Sequence, residues 1–223
     1  MKRFSSVLSV LIIIGVIYWS FSDLKPSLQK EKPTLKIDFS INQALHHLKN
    51  ISQKVHYVGA KEHKSVQNYI VDELNKLGLT TEIQTQTAIN KKWIAGTTTE
   101  NILARIKGSG NGKALMLLTH YDSNPHSSVG ASDAGSGVVT ILEGIRAYLA
   151  KNETPKNDII ILISDAEELG LLGAQAFVDE HSWAKDVGLV LNFEARGSGG
   201  PSYMLMETNG KNSKLLSEFL ASK

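Results

Sequence analysis

Apolar residues recur along the chain with two periods, one typical of helices and one typical of buried strands. Apolar positions three or four residues apart predict helices over residues 41–54, 64–77, 136–150, 169–179 and 213–222. Short apolar or β-branched runs predict strands over residues 81–85, 101–107, 114–118, 158–164, 187–193 and 203–207. The run at 158–164 is almost continuously apolar, which is typical of a buried parallel strand, and we expect 187–193 to be a second one. The alternation predicts an α/β fold with a mixed, mainly parallel sheet sandwiched by helices.

The N-terminal residues form a separate segment. A positively charged start, Met1 to Arg3, is followed by an almost wholly apolar block from Val7 to Phe21. This pattern predicts a signal peptide or signal anchor over residues 1–22 rather than a buried core helix, with the rest of the chain exported. Residues 23–38 are rich in Lys, Pro and Gln and predict a linker, so we expect residues 39–223 to form the folded domain. The expected location is membrane-anchored or exported: periplasmic, or lumenal in a eukaryote.

Composition narrows the chemistry. The chain has no cysteine, which excludes disulfides, thiolate metal ligands and a cysteine nucleophile, so any metal must be held by His, Asp and Glu. The formal net charge of +2 gives no reason to expect a nucleic-acid partner. No G-x-S-x-G motif supports a serine hydrolase. The glycine-rich stretch at 108–112 lies between two predicted strands and indicates a hairpin turn rather than a phosphate-binding loop.

Acidic and histidine side chains follow three of the predicted strands. They are His120 and Asp122, then Glu167 and Glu168, then Glu194. In open α/β sheets, functional groups gather at the carboxyl ends of the strands, so we expect these side chains to converge. His120 and Asp122 are two residues apart and point to the same side of an extended chain, which suits a metal-binding imidazole oriented by a carboxylate. The alternative is a strand-end histidine beside a solvated aspartate.

The other acids also admit two interpretations. Asp133 precedes a predicted helix and is either a bridging metal ligand or a helix cap. Glu167 and Glu168 are adjacent, so their side chains diverge; one can bind a metal while the other acts as a general base. Alternatively, both are acids favoured at a helix N-terminus. Glu194 is either a ligand or a partner of Arg196.

Four sequence motifs together resemble peptidase family M28, the zinc aminopeptidases. They are LLTHYDS, ASDAGSGV, ISDAEELGLLGAQAF and LNFEARGSGGPS, and the resemblance covers roughly residues 55–210. The form NFEARGSGG is most similar to the branch of large membrane-bound members that includes vacuolar and endoplasmic-reticulum peptidases. The resemblance implies a zinc-exopeptidase fold and hydrolysis of N-terminal peptide bonds in peptide or protein substrates.

The resemblance also implies a site for two zinc ions. It makes His120 and Glu194 ligands of the first zinc, with Asp133 bridging both ions. Glu168 becomes a ligand of the second zinc.

Two further residues would act in this site without binding a metal. The resemblance makes Glu167 the general base, and Asp122 the residue that orients the histidine. Other possibilities are a non-catalytic, membrane-tethered binding ectodomain and a single-zinc aminoacyl cyclase on the same fold.

The family supplies a late histidine to the second metal. No histidine follows Glu194 here, so we expect the domain to be incomplete at its C-terminus and the second zinc to be held weakly.

Overall fold

A computed structural model describes most of the chain in two compact units. The described residues are 2–23, 35–126, 128–195, 197, 204–206, 210 and 212–221. One unit contains the first and last helices, and the other contains every described strand and the remaining helices. The candidate site residues all belong to the second unit.

The first unit contains helices α1 (Lys2–Asp23) and α6 (Ser213–Ala221). The large apolar side chains of α1 between Val7 and Phe21 are exposed to solvent. Within the described part of the chain, none of the helices combines the length and apolar character needed to cross a membrane.

The second unit is built on a five-stranded mixed sheet with the order β1-β2-β4-β3-β5. The strands are β1 (Thr81–Asn90), β2 (Ala95–Ile106), β3 (Ala114–His120), β4 (Ile159–Ser164) and β5 (Val187–Asn192). β2 runs antiparallel to both β1 and β4, whereas β3 runs parallel to β4 and β5. Four strands therefore point in one direction, which confirms the predicted mixed, mainly parallel sheet.

Helices cover both faces of the sheet. Helices α2 (Ile41–Ile51), α3 (Lys61–Lys76) and α4 (Gly137–Leu149) pack on one face, and α5 (Leu172–Glu180) packs on the other. The alternation of side chains along β4 explains this arrangement. Ile161 and Ile163 enter the core beneath the three helices, while Ile160 and Leu162 pack with Phe177 of α5. The predicted sandwich is therefore confirmed.

Two strand predictions need correction. β5 forms, but it is not buried: Leu189, Val190 and Leu191 are 39–43% exposed, because β5 pairs only with β3 among the described residues. The strand predicted over 203–207 is not present at Met204–Met206, which have no regular structure, and its two end residues lie outside the described residues.

The end of β4 opposite the candidate site is held by a buried carboxylate. Asp158 accepts hydrogen bonds from Gly108 N at 2.7 Å, Arg105 Nε at 2.6 Å and Lys107 Nζ at 2.9 Å. These donors, the Gly108 amide first, keep the pKa of Asp158 well below its usual range. Arg105 also reaches Asp186, which is far more exposed.

Replacing this carboxylate should destabilise the fold without touching the site. We expect Asp158→Asn to lower the free energy of unfolding by about 1–3 kcal/mol, because the buried amide loses its pairing with the partly buried Arg105 and presents a donor to other donors. Chemical denaturation measures this loss. The control Asp186→Asn should cost less than about 1 kcal/mol, since that ion pair is exposed. Because the pKa is lowered in the folded state, the effect of Asp158→Asn should be full above about pH 4 and shrink below it. Equal losses in the two variants would contradict the assignment.

Candidate metal centre

The carboxyl ends of β3, β4 and β5 meet at one edge of the sheet. His120, the last residue of β3, pairs with Ser164, the last residue of β4. Just beyond β5, Phe193 N donates to Leu118 O at 2.8 Å, and Thr119 Oγ1 donates to Phe193 O at 2.9 Å. These bonds place the next residue, Glu194, beside the histidine.

A glycine allows the loop before α4 to approach the same edge. A β-carbon on Gly137 would lie 2.3 Å from Thr119 Oγ1 and 2.5 Å from Phe193 O, so a side chain at this position would collide with both strand ends. The turn Ala131–Ser136, immediately before α4, thereby brings Asp133 to the site.

Three carboxylates surround one nitrogen of the buried imidazole. His120 Nε2 lies 3.0 Å from Asp133 Oδ1, 3.6 Å from Glu194 Oε1 and 3.9 Å from Glu167 Oε2. His120, Asp133 and Glu194 each offer a ligand atom, and these atoms all lie within 4.8 Å of one another. The structure therefore brings together the three residues predicted as the first metal's ligand set.

Asp122 lies behind the histidine and binds more than the imidazole. His120 Nδ1 is 3.0 Å from the Asp122 backbone oxygen and 3.3 Å from its Oδ1. The same carboxylate accepts hydrogen bonds from Glu167 N at 3.0 Å and Glu168 N at 3.2 Å. Asp122 therefore links the histidine to the turn that carries both glutamates, a role that its sequence spacing did not reveal.

Glu168 lies on this turn but is not part of the converged set of three. Its Oε2 accepts a hydrogen bond from Asn124 Nδ2 at 2.7 Å. Its Oε1 is buried, with no hydrogen-bond partner among the described residues. A buried carboxylate oxygen without a partner is costly, and a cation is one group that would satisfy it.

The electrostatics of the site show opposing effects of burial and charge. Burial alone lowers the pKa of His120, but hydrogen bonds to Asp122, Asp133 and Glu194 outweigh it and raise the pKa to about 12. The hydrogen bond with His120 lowers the pKa of Asp133.

The pKa values of the two adjacent glutamates are raised, whereas that of Asp133 is lowered. Burial raises the pKa of Glu167 to about 7 and also raises the pKa of Glu168. Several carboxylates thus share a single cationic partner.

The donor set fits zinc. Zinc accepts imidazole nitrogen and carboxylate oxygen at about 2.0–2.2 Å in tetrahedral geometry, which places two ligand atoms about 3.4 Å apart. The separations of His120 Nε2 from Asp133 and Glu194, 3.0 and 3.6 Å, bracket that value. The ring's other nitrogen is held by Asp122, as is usual for a metal-bound histidine.

Sequence reasoning missed a buried network that holds the turn after β4. Asp165 Oδ1 bonds His63 Nε2 at 2.8 Å, and its Oδ2 accepts from Glu100 N at 2.8 Å. This network ties the turn to α3 and β2. Asn124, which contacts Glu168, was also missed. Both residues lie within or beside the quoted motifs, but an acid or amide near a strand end carries no distinctive spacing.

The fold and the site together define a class of protein. A His/Asp/Glu cluster at the carboxyl ends of parallel strands, in a mixed sheet between helix layers, suits a metal-dependent hydrolase. Solved structures share this fold: a glutaminyl cyclase and a leucine aminopeptidase precursor, both from Bacteroides thetaiotaomicron. Each has a TM-score of 0.59 and 23% sequence identity over 70% of this chain, covering 61% and 62% of the two structures respectively.

The sequence comparison identifies the family. The model of peptidase family M28 matches residues 101–223, and the chain belongs to this family. A vacuolar membrane protease of Candida dubliniensis is 34% identical over 210 residues, which is 90% of this chain and 22% of the relative. The chain therefore spans about a fifth of the length of that relative. The resemblance inferred from the four motifs is confirmed at the level of the family.

Asp122 should affect both the histidine and the turn that carries the two glutamates, because it bonds to both. We expect Asp122→Asn to weaken zinc binding by about 10- to 100-fold, because the amide loses the charge that orients His120 and presents a donor to one of the two glutamate amides. Competition titration against a chromophoric zinc chelator measures the affinity. Asp179→Asn, an exposed position on α5, serves as the control and should leave the affinity unchanged. Wild-type affinity in Asp122→Asn would rule out this orienting role.

Proposed function

We propose that this chain carries the catalytic residues of a zinc-dependent aminopeptidase that hydrolyses N-terminal peptide bonds. The observation that carries the proposal is the convergence of Asp133 and Glu194 on His120 Nε2, with the Glu167 carboxylate 3.9 Å from the same atom. His120, Asp133 and Glu194 suit metal binding. Glu167 lies close to them but is not part of the ligand set. Membership of peptidase family M28 supports the same reaction class.

Glu167 is proposed as the general base. It sits at the rim of the ligand set, and Asp122 fixes its backbone. When bound, zinc polarises the scissile carbonyl and lowers the pKa of the attacking water. Glu167 would take the proton from that water and pass it to the leaving amine. His120 holds its tautomer through Asp122, so its Nε2 stays directed at the centre of the site.

A second zinc is proposed at Glu168 and Asp133. The partnerless Oε1 of Glu168 supports a cation at this position, and Asn124 orients the other oxygen. In the part of the chain that the structure describes, the convergent set contains only His120, Asp133 and Glu194. We therefore propose that the first zinc binds more tightly than the second.

A single-zinc aminoacyl cyclase is the second candidate. The observation that favours it is the same single convergent set, and the fold is shared with glutaminyl cyclases. A non-catalytic binding ectodomain is the third. Two bound zinc ions with peptide hydrolysis favour the aminopeptidase, and one zinc with cyclisation of N-terminal glutamine favours the cyclase. Neither metal nor turnover favours the ectodomain.

Substituting each of the two adjacent glutamates by glutamine, one at a time, separates their roles. We expect Glu167→Gln to lower kcat for aminoacyl-arylamides by about 10²-fold or more, because the positioned base is lost, while zinc content stays nearly constant. The matched variant Glu168→Gln should lower the zinc content instead. Elemental analysis and a steady-state assay on each protein test both expectations. Turnover close to wild type in Glu167→Gln would remove this residue from the mechanism.

We also propose that residues 1–22 direct the protein to a membrane or across it. The charged start and the apolar block support this, and the Candida relative is named as a vacuolar membrane protease. A reporter fused to the intact chain should fractionate with membranes or in an exported compartment. Deletion of residues 1–22, or Ile13→Arg within the apolar block, should return the reporter to the cytosol. Identical fractionation of all three proteins would contradict the proposal.

A further inference from the structure

The tip of the β1–β2 hairpin packs against the turn that carries the two glutamates. Asn90, the last residue of β1, donates from Nδ2 to Gly170 O at 2.8 Å. A β-carbon on Gly170 would lie 3.2 Å from Trp93 Cγ, so the indole lies next to this glycine and leaves no room for a side chain there. Gly170 N in turn donates to Glu167 O at 2.8 Å. Gly170 therefore neighbours the tryptophan and also bonds the backbone of the proposed general base.

The hairpin tip is held in a fixed conformation. Asn90 Oδ1 accepts hydrogen bonds from Lys92 N at 2.9 Å and Trp93 N at 3.2 Å, which closes the turn. On the opposite side, Leu171 N donates to Glu167 O at 2.8 Å. These bonds close each loop internally, and the Asn90 Nδ2–Gly170 O hydrogen bond joins the two loops.

Both loops carry backbone strain. Four described non-glycine residues have a positive φ, and three of them lie on these loops: Ile94 at 51°, Ala166 at 55° and Leu171 at 64°. Branched and bulky side chains are rare in this conformation, because the β-carbon crowds the backbone. Such strain concentrates at ligand-binding and active sites.

The same loops expose large apolar side chains. Trp93 is 67% exposed, Ile94 is 93% exposed and Leu171 is 57% exposed. A rigidly held, exposed tryptophan is typical of a binding hot spot, since it offers a large contact area with little loss of side-chain freedom. Trp93 and Ile94 lie at the hairpin tip that Asn90 joins to the turn after β4, and Leu171 lies on that turn, four residues after Glu167.

We propose that Trp93, Ile94 and Leu171 form a specificity rim that binds a large apolar side chain of the substrate next to the scissile bond. The inference rests on the proposed peptidase function of the same site. The occupant is a peptide with Leu, Phe or a similar residue at one of its first two positions. The rim gives no comparable contact to Gly or Ser.

Peptide binding tests the rim separately from catalysis. Two series of short peptides, varied at the first or at the second residue among Leu, Phe, Ser and Gly, are titrated calorimetrically into zinc-loaded chain carrying Glu167→Gln. We expect Leu and Phe to bind more tightly than Gly in one series. Trp93→Ala should weaken binding of those apolar peptides by about tenfold and leave the Gly peptide unchanged. Leu171→Asn, which suits a positive φ, should have a smaller effect of the same kind.

The control is Lys91→Ala, an exposed residue of the same turn, which should leave the selectivity intact. Absence of binding, equal affinity for all peptides, or equal weakening of every peptide by Trp93→Ala would each overturn the rim. Hydrolysis by the chain with Glu167 intact is measured in parallel. Selective binding without hydrolysis would reject the proposed catalytic function while retaining the rim. Hydrolysis without selective binding would retain the proposed catalytic function and reject the rim.

Discussion

The crowding of carboxylates around one buried imidazole is the constraint on which the rest of the structure depends. Three acids approach His120 Nε2, and a fourth holds its Nδ1. Carboxylates gathered around one imidazole repel one another, and a cation between them would relieve that repulsion. Zinc fits that requirement, and the surrounding hydrogen bonds hold the acids in place.

The parallel part of the sheet provides this crowding. β3, β4 and β5 end at the same edge, so residues distant in sequence arrive within a few ångströms. A separate contact then fixes the position of each part of the site. Gly137 admits the Asp133 turn, Phe193 pairs with Leu118, and Asp122 binds the two glutamate amides.

The antiparallel edge serves a different purpose. β1 and β2 extend as a long hairpin whose tip reaches the turn after β4, where Asn90 contacts Gly170. The parallel strands thus supply the groups proposed for chemistry, and the hairpin supplies the exposed apolar side chains proposed for substrate selection. This division agrees with the general rule that binding determinants lie on loops positioned by a rigid scaffold.

The α/β class and most of the helices and strands follow from the sequence alone, and the four motifs predict which residues form the site. Apolar periodicity and residue type are local properties of the chain, so they can be read without knowing which residues meet in the fold. Three features emerge only when the chain is folded: β5 is an exposed edge, Asp122 binds the Glu167–Glu168 backbone, and Trp93 lies next to Gly170. Each of these depends on contacts between residues 45 or more positions apart, or on which strand lies next to which, and neither leaves a periodic signal in the chain.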